Sequence, residues 1–286
     1  MNRYELWFNE FHTEHVTFSF RVDRQLLQKT SDFQRIEILE TPEFGRVLIL
    51  DGIIMCTEKD EFIYHDMIVH VPMAVHPEVK KVLLIGGGDG GALRELCRYE
   101  TIESIEIVEI DLDVVNAAKE FLPTMATSYD DPRVNLIIAD GLRYVRRKEN
   151  VYDLIIVDST DPFGPGESLF TKEFYGNCYK SLKDDGILVN QHESPFYGQE
   201  AREARLTHRR MKSVFDLSRV YQAHIPTYPS GHWLFGFSSK GLDPIKDFDA
   251  DRWNALGLRT KYYNTDIHVG SFMLPNYVLE LIGELS

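Results

Sequence analysis

The 286 residues, 43% hydrophobic and 27% charged, can bury one large domain or a large one with an appendage, which excludes fibrous and miniature disulfide-stapled classes. With 31 basic against 45 acidic side chains the net charge is −14. That field repels nucleic-acid phosphates and attracts cations, so a cationic small molecule is a better expected partner than DNA or RNA.

Cys56, Cys97 and Cys178 show no CxxC spacing, which argues against a disulfide framework and a structural zinc site. Glu5, Glu10 and Glu14 interrupt the run a signal peptide would need, and no stretch approaches the ~20 apolar residues of a membrane span. The expected location is the cytoplasm, with no membrane partner.

In chain order, residues 1–60 read as a small antiparallel β domain. Residues 15–20 alternate, 33–40 form a second run, and 47–50 joins 53–56 through Asp51-Gly52, which suits a two-residue hairpin. Over 61–75, Phe62, Met67, Ile68, Val71, Ala74 and Val75 recur at helical spacing, with Pro72 expected to disturb the last turn. From residue 81 strands and helices alternate. Strand 81–85 precedes a helix carrying Leu93, Leu96 and Cys97, 105–109 precedes 114–121, and 134–139 precedes 142–147. Strand 154–157 then precedes 172–182, and 187–191 precedes 200–215. Five such units predict an α/β fold with a parallel sheet covered on both faces. Residues 219–223 and 232–238 are too close for a helical crossover and predict an antiparallel edge hairpin. The expected division is a small β domain, 1–60, and a catalytic domain, 61–286. The tail from Leu242 shows no pattern.

Ligands of open parallel sheets bind beyond the carboxyl ends of the strands. GGGDGG at 86–91 ends the first parallel strand, and the missing side chains of Gly86 and Gly88 allow close approach of a ligand. Glu109 ends the second strand, where a carboxylate would accept from both ribose hydroxyls. Asp140-Gly141 ends the third; Asp140 can accept from an adenine amine, cap the next helix, or do both. Asp89 inside the glycine loop would repel the pyrophosphate of a dinucleotide, which disfavours a dehydrogenase. A cationic nucleoside such as S-adenosylmethionine or a relative fits better. Asp158-Ser159-Thr160-Asp161-Pro162 ends the fourth strand, so Asp89, Asp158 and Asp161 can converge; Asp161 can instead simply open the turn before Pro162. No clear metal-ligand spacing accompanies the acids. A magnesium ion is possible but not needed, because an organic polycation would neutralise them equally well.

Taken with EFIYH at 61–65 and TYPSG at 227–231, VLLIGGGDGGALRE at 82–95 and DSTDP at 158–162 resemble the spermidine synthases, the aminopropyltransferases of polyamine synthesis. The resemblance spans roughly residues 1–240. It implies a Rossmann-like class I methyltransferase fold, a mostly parallel seven-stranded sheet with a terminal antiparallel hairpin, after a small antiparallel β domain. It also implies transfer of an aminopropyl group from decarboxylated S-adenosylmethionine, a co-substrate rather than a cofactor, to putrescine, giving spermidine and methylthioadenosine. By similarity Gln34, Glu109, Asp140, Gly141 and Pro165, with Gly86 and Gly88 of the loop, hold the nucleoside. His65, Asp89, Asp158 and Asp161, with Tyr64 and Tyr228, hold the amines, and Asp158 takes the proton. Trp7 and Trp233 either wall the cavity or are core or interface aromatics. A homodimer or homotetramer is implied.

Chemically, Asp161 and His65 are expected to hold the distal ammonium while Asp158 deprotonates the attacking end. Asp89 would repel the carboxylate of the intact donor, and residues 159–170 are expected to close as a lid. A putrescine N-methyltransferase using S-adenosylmethionine and a non-catalytic polyamine sensor are the alternatives.

Overall fold

The computed structural model describes residues 5–160 and 164–285. Strands β1 (Leu6–Thr13) and β2 (Val16–Val22) make an antiparallel ribbon. β3 (Arg24–Thr30), β4 (Arg35–Thr41), β5 (Gly45–Leu50) and β6 (Ile53–Thr57) make a four-stranded antiparallel sheet in that order. Asp51 and Gly52 both have positive φ, 51° and 88°, as a type I′ hairpin requires. Two sheets therefore replace the single one expected. β1 and β3 are additions to the predicted strands; half or more of their residues are exposed, so neither bears a continuous apolar stripe.

Helix α1 (Glu61–Val75) is buried along nearly its whole length, including Glu61, His65, Asp66 and His70. It runs through Pro72 to Val75, so the expected disturbance of the last turn is absent. The Pro72 carbonyl still accepts from the His76 N–H at 3.0 Å and closes the helix.

The alternating units follow as β7 (Lys81–Gly86), α2 (Gly91–Cys97), β8 (Ser104–Glu109), α3 (Leu112–Phe121), β9 (Val134–Ile138) and α4 (Gly141–Val145). They continue as β10 (Tyr152–Asp158), α5 (Lys172–Ser181), β11 (Leu182–Glu193) and α6 (Gly198–Lys212). β12 (Leu217–His224) and β13 (His232–Ser239) complete a seven-stranded sheet of order β12-β13-β11-β10-β7-β8-β9. Strands β7 to β11 are parallel, whereas β13 runs antiparallel to both β11 and β12. This is the Rossmann-like class I methyltransferase sheet with its antiparallel hairpin.

The chain leaves β7 toward β8 and β9 on one side and returns through β10 and β11 on the other, so the strand order reverses between β7 and β10. That reversal opens a crevice at the carboxyl ends. The four-stranded sheet packs Ile36, Ile38, Leu48 and Leu50 against Val114, Ala117 and Ala118 of α3, placing the small β region beside this crevice. Three short helices follow, α7 (Ala250–Ala255), α8 (Thr265–Ser271) and α9 (Asn276–Ile282). Among the described residues, no helix is long and apolar enough to cross a membrane.

Candidate active site

The cleft at the carboxyl ends is lined by Gly86, Gly87, Gly88 and Asp89 after β7, Glu109 at the end of β8, Asp140 and Gly141 after β9, and Asp158 at the end of β10. Gln34 reaches it from the small β region. Gly86 has φ +80°, and a Cβ there would fall 2.1 Å from the Asp158 carbonyl oxygen. Gly87 N–H donates to that same oxygen at 2.7 Å. Absence of a side chain is therefore what lets the glycine turn and the end of β10 touch.

One side of the cleft presents hydrogen-bond acceptors. Glu109 takes a bond from the Asp111 N–H at 3.0 Å, yet burial pushes its pKa up to about 7. Asp111 caps α3 by accepting from Asp113 N–H with Oδ1, while Oδ2 accepts from Gln34 Nε2 at 3.0 Å and Ser31 Oγ at 2.7 Å. The Gln34 amide is thus fixed by its nitrogen, leaving Oε1 as an acceptor. Asp140 caps α4 through Arg143 N–H at 3.1 Å and lines the cleft as well. Pro165 lies in the 3-10 helical stretch Gly164–Phe170. Asp161, and with it part of the expected lid, falls outside the described residues.

On the other side donor atoms of His65, Asp89 and Asp158 lie within 4.8 Å of one another. Asp89 Oδ1 accepts from Gly91 N–H at 2.6 Å and stands 3.3 Å from His65 Nε2. The other ring nitrogen of His65 meets Glu61 Oε2 at 2.6 Å, and Arg94 grips both oxygens of Glu61 at 3.0 and 2.9 Å. Burial opposes charge on His65, but Asp89 and Glu61 outweigh it and hold its pKa well above the ordinary value. Both ring nitrogens of His65 thus face carboxylates, those of Glu61 and Asp89.

Burial, with the neighbouring charge of Asp89, raises the Asp158 pKa to about 6, and its Oδ2 has no hydrogen-bond partner. A buried carboxylate with an open oxygen is suited to take a proton. The Tyr64 hydroxyl lies close enough for Asp158 to raise its pKa further, after burial. Tyr228 donates its hydroxyl proton to the Met55 carbonyl at 2.6 Å, so its oxygen remains only as an acceptor. Tyr228 packs edge-on against Trp233 at 4.7 Å, and Trp233 lines the cleft with its buried Nε1 unpartnered. Trp7 does not: it sits half exposed on β1.

The cleft holds further acids that sequence reasoning missed, Glu10 on β1, Glu193 at the end of β11 and Glu200 on α6, together with Gln191. Gln191 and Glu193 exchange hydrogen bonds, and Glu193 adopts φ +75° at an irregularity of β11. Such strained backbone clusters at functional sites, but nothing in the residue type announces it.

Besides the cleft group, Asp66, His70 and Glu95, and His76, Asp153 and Asp185, each bring potential ligand atoms within 4.8 Å of one another. Near β7, His76 Nδ1 accepts from Glu78 N–H at 3.1 Å, so a neutral ring carries its proton on Nε2, the atom facing Asp185.

A family model described as spermine/spermidine synthase domain matches residues 61–249, and one described as spermidine synthase tetramerisation domain matches 6–58. A polyamine aminopropyltransferase of Alkaliphilus oremlandii is 64% identical over 278 residues, 97% of this chain and 98% of that protein. A solved spermidine synthase in complex with the transition-state analogue AdoDATO superposes with TM-score 0.95 at 47% identity, covering 97% of this chain and 95% of the other. The spermidine synthase of Thermotoga maritima gives TM-score 0.92 at 45% identity, covering 98% and 95%. With its crevice, paired acids and near full-length likeness, the chain belongs to the spermine/spermidine synthase family.

Proposed function

We propose that the protein is a spermidine synthase, transferring the aminopropyl group of decarboxylated S-adenosylmethionine to putrescine. The attacking amine forms a bond to the carbon bearing the sulfonium. The carbon–sulfur bond breaks with its electron pair going to sulfur, methylthioadenosine leaves as a neutral thioether, and the proton passes to Asp158. The observation that carries this reading is the Asp158 carboxyl, buried and open at Oδ2, where the glycine loop meets the acid group.

A free primary amine with a pKa near 10.4 is neutral in only about one molecule in a few thousand at pH 7. The neighbouring sulfonium makes that neutral form easier to reach by like-charge repulsion, and Asp158 collects the proton. A carboxyl poised near pH 6 is a stronger base than an ordinary aspartate. Tyr228, able only to accept, takes an N–H of the attacking amine and thereby aims its lone pair.

Asp89, whose Oδ1 is occupied, offers Oδ2 to the amino end of the donor; a donor carboxylate there would be repelled, which selects the decarboxylated form. Glu109, Gln34 and Asp140 take the nucleoside, with Gly86, Gly88, Gly141 and Pro165 forming its bed. The distal ammonium is left to Asp161 and to the acids Glu10, Glu193 and Glu200.

The division is 1–60 and 61–286, the assembly a homodimer or homotetramer, the location cytoplasmic, and no cofactor takes part. The test is incubation with putrescine and either donor. Methylthioadenosine and spermidine are expected with the decarboxylated donor; S-adenosylhomocysteine from the intact donor would overturn the reading.

A further inference from the structure

The segment after residue 249 lies beyond the matched catalytic-domain model and shows no pattern in sequence. In the fold it is fastened to α1 in three places. Arg252 of α7 donates to the carbonyls of Ala74, His76 and Pro77 at 2.8, 2.6 and 2.8 Å, covering the exposed acceptors at the end of α1. Trp253 Nε1 donates to Tyr99 Oη at 3.2 Å. Tyr99 Oη in turn lies 2.6 Å from His70 Nδ1, and His70 Nε2 meets Glu95 at 3.2 Å. Most directly, Oδ2 of buried Asp66 accepts from three successive backbone N–H groups, those of Lys261, Tyr262 and Tyr263, at 3.1, 2.8 and 3.2 Å.

Asp66 follows Tyr64 and His65 directly in α1. At ~100° per residue these neighbours point in different directions, so Asp66 faces the C-terminal loop while Tyr64 and His65 face the cleft. We infer that residues 250–263 are a strap that fixes the rotation of α1, and that Asp66 is a positioning residue for the amine subsite. Side-chain atoms lie ~6 Å from a helix axis, so a 10° rotation displaces the His65 ring by ~1 Å. The His65–Asp89 contact, at 3.3 Å, would not survive that. The proline inside α1 removes one intrahelical hydrogen bond, so an external hold on this helix replaces part of what its own backbone lacks.

The inference rests on the reading of the acid group as the amine subsite, and the experiment separates the two. Wild-type turnover of the two substrates tests the reading. Asp66→Ala tests the strap: KM for putrescine is expected to rise ~10-fold and kcat to fall ~10-fold, with methylthioadenosine affinity by calorimetry within ~2-fold. Asp66→Asn, which keeps an acceptor oxygen, should recover most of the loss. Should Asp66→Ala fail to fold, the imidazole signals of His65 in Arg252→Leu, which releases the strap from the end of α1, followed by NMR over pH, take its place. A lowered His65 titration is expected, and an unchanged one overturns the strap. A uniform loss of affinity for both substrates, or a lower melting temperature with unchanged kinetics, overturns it as well.

Discussion

Asp158→Asn should make the ligand-free protein more stable while abolishing turnover. The Asp158 pKa is raised from an ordinary 3.8 to about 6 by burial and by Asp89. A carboxyl raised in this way favours the fold only when protonated: its contribution is complete below pH 3.8 and is lost as the pH climbs through about 6. At about 1.4 kcal/mol per pH unit, the ionised group above pH 7 costs about 3 kcal/mol relative to the unfolded chain. Asp158 as a residue is half-buried although its Oδ2 is enclosed, and solvent screening reduces this to about 2 kcal/mol. Asparagine has the same shape and no charge. The melting temperature of Asp158→Asn at pH 8 should therefore exceed that of the wild type by roughly 5 °C, and the gain should shrink to about a third near pH 4.5 and vanish below pH 3.8. In parallel kcat should fall by about 10²–10⁴. Thermal denaturation at the two pH values, without ligands, checks the first half, and methylthioadenosine release the second. A gain of equal size at both pH values, or none at pH 8, would refute the idea that repulsion is stored at this carboxyl.

Donor affinity, measured by calorimetry, should strengthen as pH rises through about 7, where Glu109 ionises, and Glu109→Gln should flatten that dependence. The same substitution should weaken donor binding by about 2 kcal/mol, the scale of a hydrogen bond to a charged group. A Cβ on Gly91 would fall 2.1 Å from His65 Cε1, so Gly91→Ala should cost ~10²-fold in kcat/KM while changing donor affinity by only a few fold. Arg94→Leu leaves the buried Glu61 carboxylate with only His65 as a partner and should lower stability by about 3 kcal/mol, read by urea denaturation. The acid limb of kcat/KM should lie near pH 6 in the wild type, with activity rising as pH increases, because Asp158 must be ionised to accept a proton.

The parallel sheet was legible because its central strands β7 and β10 are short, mainly apolar, buried runs and because strand and helix patterns alternate along the chain. β1 and β3 were not, because strands with half or more of their residues exposed bear no continuous stripe for periodicity to find. Nor were α7, α8 and α9, six or seven residues each and too short to establish a period. Within the cleft, Asp89, Glu109, Asp140 and Asp158 could be picked out because they terminate strands of one sheet. Gln34 stood out only through family likeness. Glu10, Glu193 and Glu200 come from separate elements that meet only in the folded chain, and Glu193 depends on a left-handed backbone that its residue type does not disclose. The surroundings of His65 were hidden for the same reason: one of its two carboxylate partners, Asp89, comes from another element.

The contact between Gly86–Gly87 and the Asp158 carbonyl ties the glycine turn to the carboxyl end of β10, so main chain rather than side chain sets how far apart these two walls of the cleft stand.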